Sequence, residues 1–121
     1  MLAAGLGVAH RVHFLGSESG ADISRFYRAI DVFLMPSKFE GFGRTLVEAM
    51  SQGTLTVAHD LDVLREVAGT AASLLPLHKA LWAEEISALQ ALSSDALATR
   101  RRKLRERAST FSLPKMVDGY L

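Results

Sequence analysis

Two apolar runs set close limits on what this chain can fold into. Val32-Phe33-Leu34-Met35 is uninterrupted and closed by Pro36, and Thr54-Leu55-Thr56-Val57-Ala58 is the second. The first does not alternate between water-loving and apolar residues, as a strand with one wet face would, so it reads as a strand buried on two faces, and the second as the next strand. Between them lie a glycine-bearing loop, Ser37 to Gly43, and a helical stretch from about Arg44 to Gln52 that Gly53 stops. Strand, helix and strand with short joins make a βαβ unit, whose parallel strands require a right-handed crossover. The pattern extends both ways. Arg11–Leu15 reads as a short strand ended by Gly16. Asp22 caps a helix to about Ala29, with Ile23, Phe26, Tyr27 and Ile30 at helical spacing. Asp60 or Asp62 caps a short helix that ends at Gly69, and Ala72–Leu75 before Pro76 is a fourth strand. Helices over 79–92, 95–109 and 114–120 follow. The expectation is one domain over 1–121: a three-layer α/β unit with a mainly parallel sheet of about four strands and helices on both faces.

Composition narrows the function classes. The chain has 121 residues, a net charge of +1, 49% hydrophobic residues and no cysteine. This excludes a disordered tail, a disulfide scaffold, thiolate metal sites and a cysteine nucleophile. No apolar run approaches the ~20 residues that span a bilayer. Met1-Leu2-Ala3-Ala4-Gly5 lacks the features of a signal peptide, so a cytoplasmic setting is expected. Charge is uneven, however. Residues 1–95 hold seven Lys/Arg and eleven Asp/Glu, whereas 96–121 hold seven and two. The basic run Arg100-Arg101-Arg102-Lys103-Leu104-Arg105-Glu106-Arg107 sits among Leu97, Leu104, Ala108 and Phe111 at helical spacing. It reads first as the wet side of an amphipathic helix. A weak contact with the inner face of an anionic membrane ranks second. Nucleic acid is not expected, because no aromatic interleaving accompanies the charges.

The segment richest in chemistry is Pro36-Ser37-Lys38-Phe39-Glu40-Gly41-Phe42-Gly43-Arg44-Thr45-Leu46-Val47-Glu48-Ala49-Met50. It leaves a buried strand and opens a helix, the place where open α/β sheets bind ligands. A helix N-terminus supplies unpaired N–H groups and partial positive charge, both suited to phosphate. Gly41 and Gly43 let the backbone approach a ligand closely and adopt conformations closed to other residues. Arg44 and Thr45 add a cation and a hydroxyl. Glu48, one turn in, can accept two hydrogen bonds from a ribose diol, and Glu40 can meet a polyol on the other side. The pattern suits a ligand with phosphate in its middle and hydroxyls at both ends.

Here the sequence resembles the retaining glycosyltransferases of the GT-B fold, the group 1 or GT4 type. Glu40 and Glu48 flanking Gly-Phe-Gly match that family's E-x7-E motif. Val12-His13-Phe14-Leu15-Gly16, then Phe26-Tyr27, then Ala29 through Ser37, then Glu48-Ala49-Met50 with Gly53, follow the family's order and spacing, as do Leu64–Val67 and Phe111-Ser112. The resemblance implies a Rossmann-like, partial C-terminal GT-B domain. It implies transfer of a hexose from a nucleoside-diphosphate sugar to an acceptor, with the anomeric configuration kept and with neither metal nor cofactor. It gives Glu48 to the nucleotide ribose and Glu40 to the donor sugar as the catalytic carboxylate. The backbone of Gly41, Phe42, Gly43, Arg44 and Thr45 goes to sugar hydroxyls and diphosphate, and Gly16 and Ser17 to the neighbourhood of the base.

The match departs from the family in places. Two preceding βα units, with a Gly-rich loop and an Arg/Lys pair, have no counterpart here, nor does the acceptor-binding N-terminal domain. Leu55 stands where proline is common. A fragment of a larger enzyme, or a truncated gene product inactive alone, is therefore expected. A non-catalytic remnant or nucleotide-binding module of the same fold is the alternative. The sheet would be left with an open edge. Either the Val12–Phe14 strand re-pairs with Val32–Met35, or the missing domain, another chain or a second copy fills the gap. Asp60-Leu61-Asp62 imitates a metal-binding D-x-D but reads as a helix cap. His10, His13, His59 and His78 lack ligand spacing. Lys38 and Arg44 read as surface charges, with a phosphate-gripping role as the sharper alternative.

Overall fold

The computed structural model describes residues 5–14 and 21–111. Its elements run α1 (Ala21–Ala29), β1 (Val32–Met35), α2 (Arg44–Ser51), β2 (Leu55–His59), α3 (Asp62–Ala68), β3 (Ser73–Leu75), α4 (Lys79–Gln90) and α5 (Ser94–Ala108), after a 3-10 turn at Ala9–Arg11. The helix expected over 114–120, and Gly16 and Ser17, lie outside the described residues.

The sheet has the order β1-β2-β3 and both pairings are parallel. Val32 pairs with Leu55 and Leu34 with Val57, while Val57 pairs with Ser73 and His59 with Leu75. Partners in register share a face. Val32, Leu34, Leu55, Val57 and Ser73 therefore point to one side, where the Ser73 hydroxyl donates to Glu85 of α4 at 3.0 Å. Phe33 and Met35 point to the other, where the Phe33 ring meets Tyr27 of α1 edge-on at 5.3 Å. Helices thus cover both faces, as expected from the apolar runs. β2 is buried from Leu55 to Ala58 because it is central. β1 is an edge among the described residues, and Leu34 is left 44% exposed.

Among the described residues three strands form, where about four were expected. In the described part of the expected Arg11–Leu15 strand, Arg11 ends the 3-10 turn and Val12–Phe14 joins no sheet among the described residues. A strand forms only when a neighbour takes up its N–H and C=O groups and burial offsets the entropy of ordering. Phe14 is 80% exposed, so neither condition holds there. Direct re-pairing with β1 is likewise absent among the described residues.

The core collects Leu46 and Met50 of α2, Val57 of β2, Leu64 of α3 and Leu104 of α5, all fully buried. Each contributes about 1.5–3 kcal/mol by leaving water. α5 therefore belongs to the core through Leu104 and Ala108, while Arg101, Arg102, Lys103 and Arg105 stay exposed. The amphipathic reading of the basic run holds for these four. Arg107 is different: its guanidinium donates to the carbonyls of Glu66 and Val67 at 2.6 and 2.9 Å, closing the C-terminal end of α3. Neither Asp60 nor Asp62 caps α3 through its side chain. Leu61 is the N-cap residue, and both carboxylates turn instead to Arg65, at 2.5 and 3.1 Å. The guanidinium offers a charged partner that a backbone amide cannot match. No helix among the described residues is long and apolar enough to cross a membrane.

Candidate active site at the glycine turn

The loop between β1 and α2 leaves the carboxyl end of the sheet and returns into α2 at Gly43. That residue has φ +90 and is the N-cap of the helix, with no side chain capping the first turn. A Cβ there would stand 2.7 Å from Leu64 Cδ2, so the turn can lie against α3 only with glycine. Leu46, Val47, Ala49 and Met50 bury one stripe of α2, and this fixes the opposite stripe, with Arg44 and Thr45, toward solvent. Glu48 sits at the margin between the two, its side chain 36% exposed.

The loop itself is held at its start. His59, at the end of β2, places Nδ1 2.7 Å from the Ser37 carbonyl. Since a carbonyl only accepts, Nδ1 carries the proton in this contact. At the other end the Phe42 ring packs edge-on against Phe111 at 6.0 Å, and Arg107 lies 5.4 Å above the Phe111 ring. Glu40 is half-buried and makes no ion pair or hydrogen bond within the described residues. Phe39, beside it, is 91% exposed.

A cavity of about 370 Å³ opens beside α2. Ile23, Ser24 and Tyr27 of α1 line one wall, Arg44, Val47 and Glu48 of α2 another, and Ala108 and Phe111 close it. The volume lies within the range of small-molecule sites. The structure therefore brings two of the expected site residues together in one cavity, Arg44 and Glu48, with Arg44 Nε 3.6 Å from Glu48 Oε1. Glu40, Gly41, Phe42, Gly43 and Thr45 lie in the adjoining loop and first helical turn rather than in its lining. The Arg44–Glu48 pair is exposed and one helical turn apart, so it holds Glu48 only weakly. Among the described residues no group of three or more His, Asp or Glu is arranged to hold a metal ion.

Tyr27 was not marked as a site residue by sequence reasoning, which placed it on the apolar face of its helix. It is buried, yet it lines the same cavity as Glu48. Burial first, and then the negative charge and hydrogen bonding of Glu48, push its pKa up to about 12. The one signal available was the residue type itself, a polar tip at a core position.

Residues 1–111 match the family model described as glycosyl transferases group 1. The chain belongs to this family. Among the relatives of these group 1 glycosyltransferases, the D-inositol 3-phosphate glycosyltransferase of Mycobacterium ulcerans (strain Agy99) is 36% identical over 99% of this chain and 27% of its own length. The protein of the same name from Mycobacterium sp. (strain KMS) is 40% identical over 92% of this chain and 25% of its own length. The chain thus spans about a quarter of these curated relatives. A solved structure, the sucrose-phosphate synthase of Thermosynechococcus elongatus, superposes with a TM-score of 0.80 at 27% identity, over 90% of this chain and 28% of that one. The expected group 1, GT-B type and its Rossmann-like α/β architecture are thereby established for the described residues.

Proposed function

We propose that this group 1 chain carries the donor-binding part of a retaining glycosyltransferase, which moves a hexose from a nucleoside-diphosphate sugar to an acceptor. The observation that carries the reading is the placement of Glu48. It lies one turn inside a glycine-opened, uncapped helix, on the wall of a cavity of suitable volume, and is partly exposed. In this reading Glu48 accepts hydrogen bonds from both ribose hydroxyls. The first-turn amides of α2, with the backbone from Gly41 to Thr45, meet the diphosphate and sugar hydroxyls. Preorganised amide dipoles then stabilise the departing diphosphate, which requires no metal in this scheme. Glu40, free of internal partners among the described residues, faces the hexose and supports charge at its anomeric carbon. In the full enzyme the acceptor site is supplied by an N-terminal domain, and the rest of the donor site by two preceding βα units.

Titration calorimetry with UDP, GDP and ADP tests this. One of the three should bind with saturation, and Glu48→Ala should weaken it by about 1.5–3 kcal/mol, or about 10- to 150-fold. Equal affinity in a folded variant, or no saturation with any nucleotide, overturns the assignment.

A further inference from the structure

His59 occupies the last position of the central strand, and the backbone there is held from two sides. The residue pairs in register with Leu75 of β3, and the next amide, of Asp60, donates to the Leu75 carbonyl at 2.9 Å. The Leu61 amide turns back onto the His59 carbonyl at 2.8 Å. The imidazole therefore projects from a rigid base. Its Nδ1 donates to the carbonyl of Ser37, 22 positions away, at 2.7 Å in a partly buried contact. The loop that it reaches has two unequal halves. The second half is secured by the helix it enters. Gly43 lies against Leu64, the Val47 amide donates to the Gly43 carbonyl at 3.1 Å, and Phe42 packs on Phe111. The first half has no such support. Among the described residues Lys38 to Gly41 make no hydrogen bond and no ion pair, and the Phe39 ring projects into solvent. Glu40 belongs to this half.

We infer that His59 is a positioning residue for the sugar half of the donor site: its Nδ1–H holds the Ser37 carbonyl, fixes the start of the segment that carries Glu40, and so sets where that carboxylate meets the hexose. The inference rests on the role given above to Glu40. His59 acts through Glu40 and not on the sugar, because its donor is spent on a backbone carbonyl. A segment held in place before its ligand arrives loses less entropy on binding. Small displacements of a group that faces the reacting carbon are costly, so a fixed start to the segment matters more for Glu40 than for the amides of α2, which the helix already holds. The contact also decides where the neutral ring keeps its proton. Donation from Nδ1 leaves the lone pair on Nε2, the reverse of the tautomer that a histidine side chain free in water prefers.

The test compares the 121-residue chain with His59→Asn, His59→Gln and Glu40→Ala, each checked for folding by thermal melting. Asparagine puts an amide N–H near the place of Nδ1, whereas glutamine puts it near that of Nε2, so the asparagine variant alone still donates to Ser37. Calorimetry with UDP, GDP and ADP, and with UDP-glucose, GDP-mannose and ADP-glucose, gives each chain a ratio of sugar-nucleotide to nucleotide affinity. For the pair that binds, His59→Gln should lower this ratio about three- to tenfold, and His59→Asn by less than about twofold. A wild-type ratio in His59→Gln, beside a lowered one in Glu40→Ala, overturns the inference and leaves the Glu40 reading standing. Equal losses in the asparagine and glutamine variants also overturn it, since the donor at Nδ1 would then not be what positions the segment. A ratio that Glu40→Ala leaves unchanged, or no saturation with any of the sugar nucleotides, removes the Glu40 reading and the positioning role with it. A second readout needs no ligand. The chain has four histidines, and nitrogen NMR of the neutral imidazoles identifies His59 by the signal missing from His59→Asn. That ring should carry its proton on Nδ1, and a proton on Nε2 overturns the inference.

Discussion

Gly43 satisfies two demands at one position. Its φ of +90 is a conformation that costs an L-residue about 1–2 kcal/mol, and the space where a Cβ would sit is occupied by Leu64. Overpacking adds about 1–3 kcal/mol. Gly43→Ala should therefore destabilise the fold by about 2–5 kcal/mol, measured as a drop in the urea midpoint at unchanged m-value. A loss below about 0.5 kcal/mol would mean that the turn relaxes freely. The sequence reads the two glycines of this turn as free to adopt conformations closed to other residues, and Gly43 does so. The approach of α3 was not legible, because Leu64 is 21 positions away and only the tertiary packing brings it there. The same holds for Tyr27. Periodicity assigned it to the core correctly, but a period says which side a residue faces and not which cavity it lines.

At the scale of elements, apolar runs and turn residues located β1, α2, β2 and α4 closely, since each signal is local: a buried run, a helical stripe, a glycine stop. The strand expected at Arg11–Leu15 had the same local signal and does not form in its described part, because strand formation depends on a neighbour that local sequence does not encode. α5 is a second case. Its basic residues look alike in sequence, yet Arg107 alone reaches two carbonyls at the end of α3 and stacks on Phe111. The planar guanidinium fork addresses both carbonyls at once, which an ammonium cannot. Arg107→Ala should cost about 1–2 kcal/mol in denaturant unfolding, and Arg107→Lys should recover less than half of it. Arg102→Ala, at an exposed position bridged only to Glu106 at 3.7 Å, is the control and should change stability by under about 0.5 kcal/mol.

For the molecule as a whole, the outer edge of β1 is the least protected surface. Val32 to Met35 offers an unpaired ladder among the described residues, with no charge along it and Leu34 44% exposed. Such edges recruit other strands. Leu34→Lys should reduce concentration-dependent association in sedimentation velocity while changing stability by no more than about 1 kcal/mol. Unchanged association would place the sticky surface elsewhere. The rest of the molecule leaves little room for adjustment near Glu40. Ser37 is moored by His59 and Phe42 by Phe111, so only Lys38 to Gly41 lies between the two fastenings. Four residues reach at most about 14 Å when stretched. A ligand arriving at this end of the sheet meets a short bridge with both piers fixed, and whatever accommodation it demands is confined to the span that carries one acid and one bare aromatic ring.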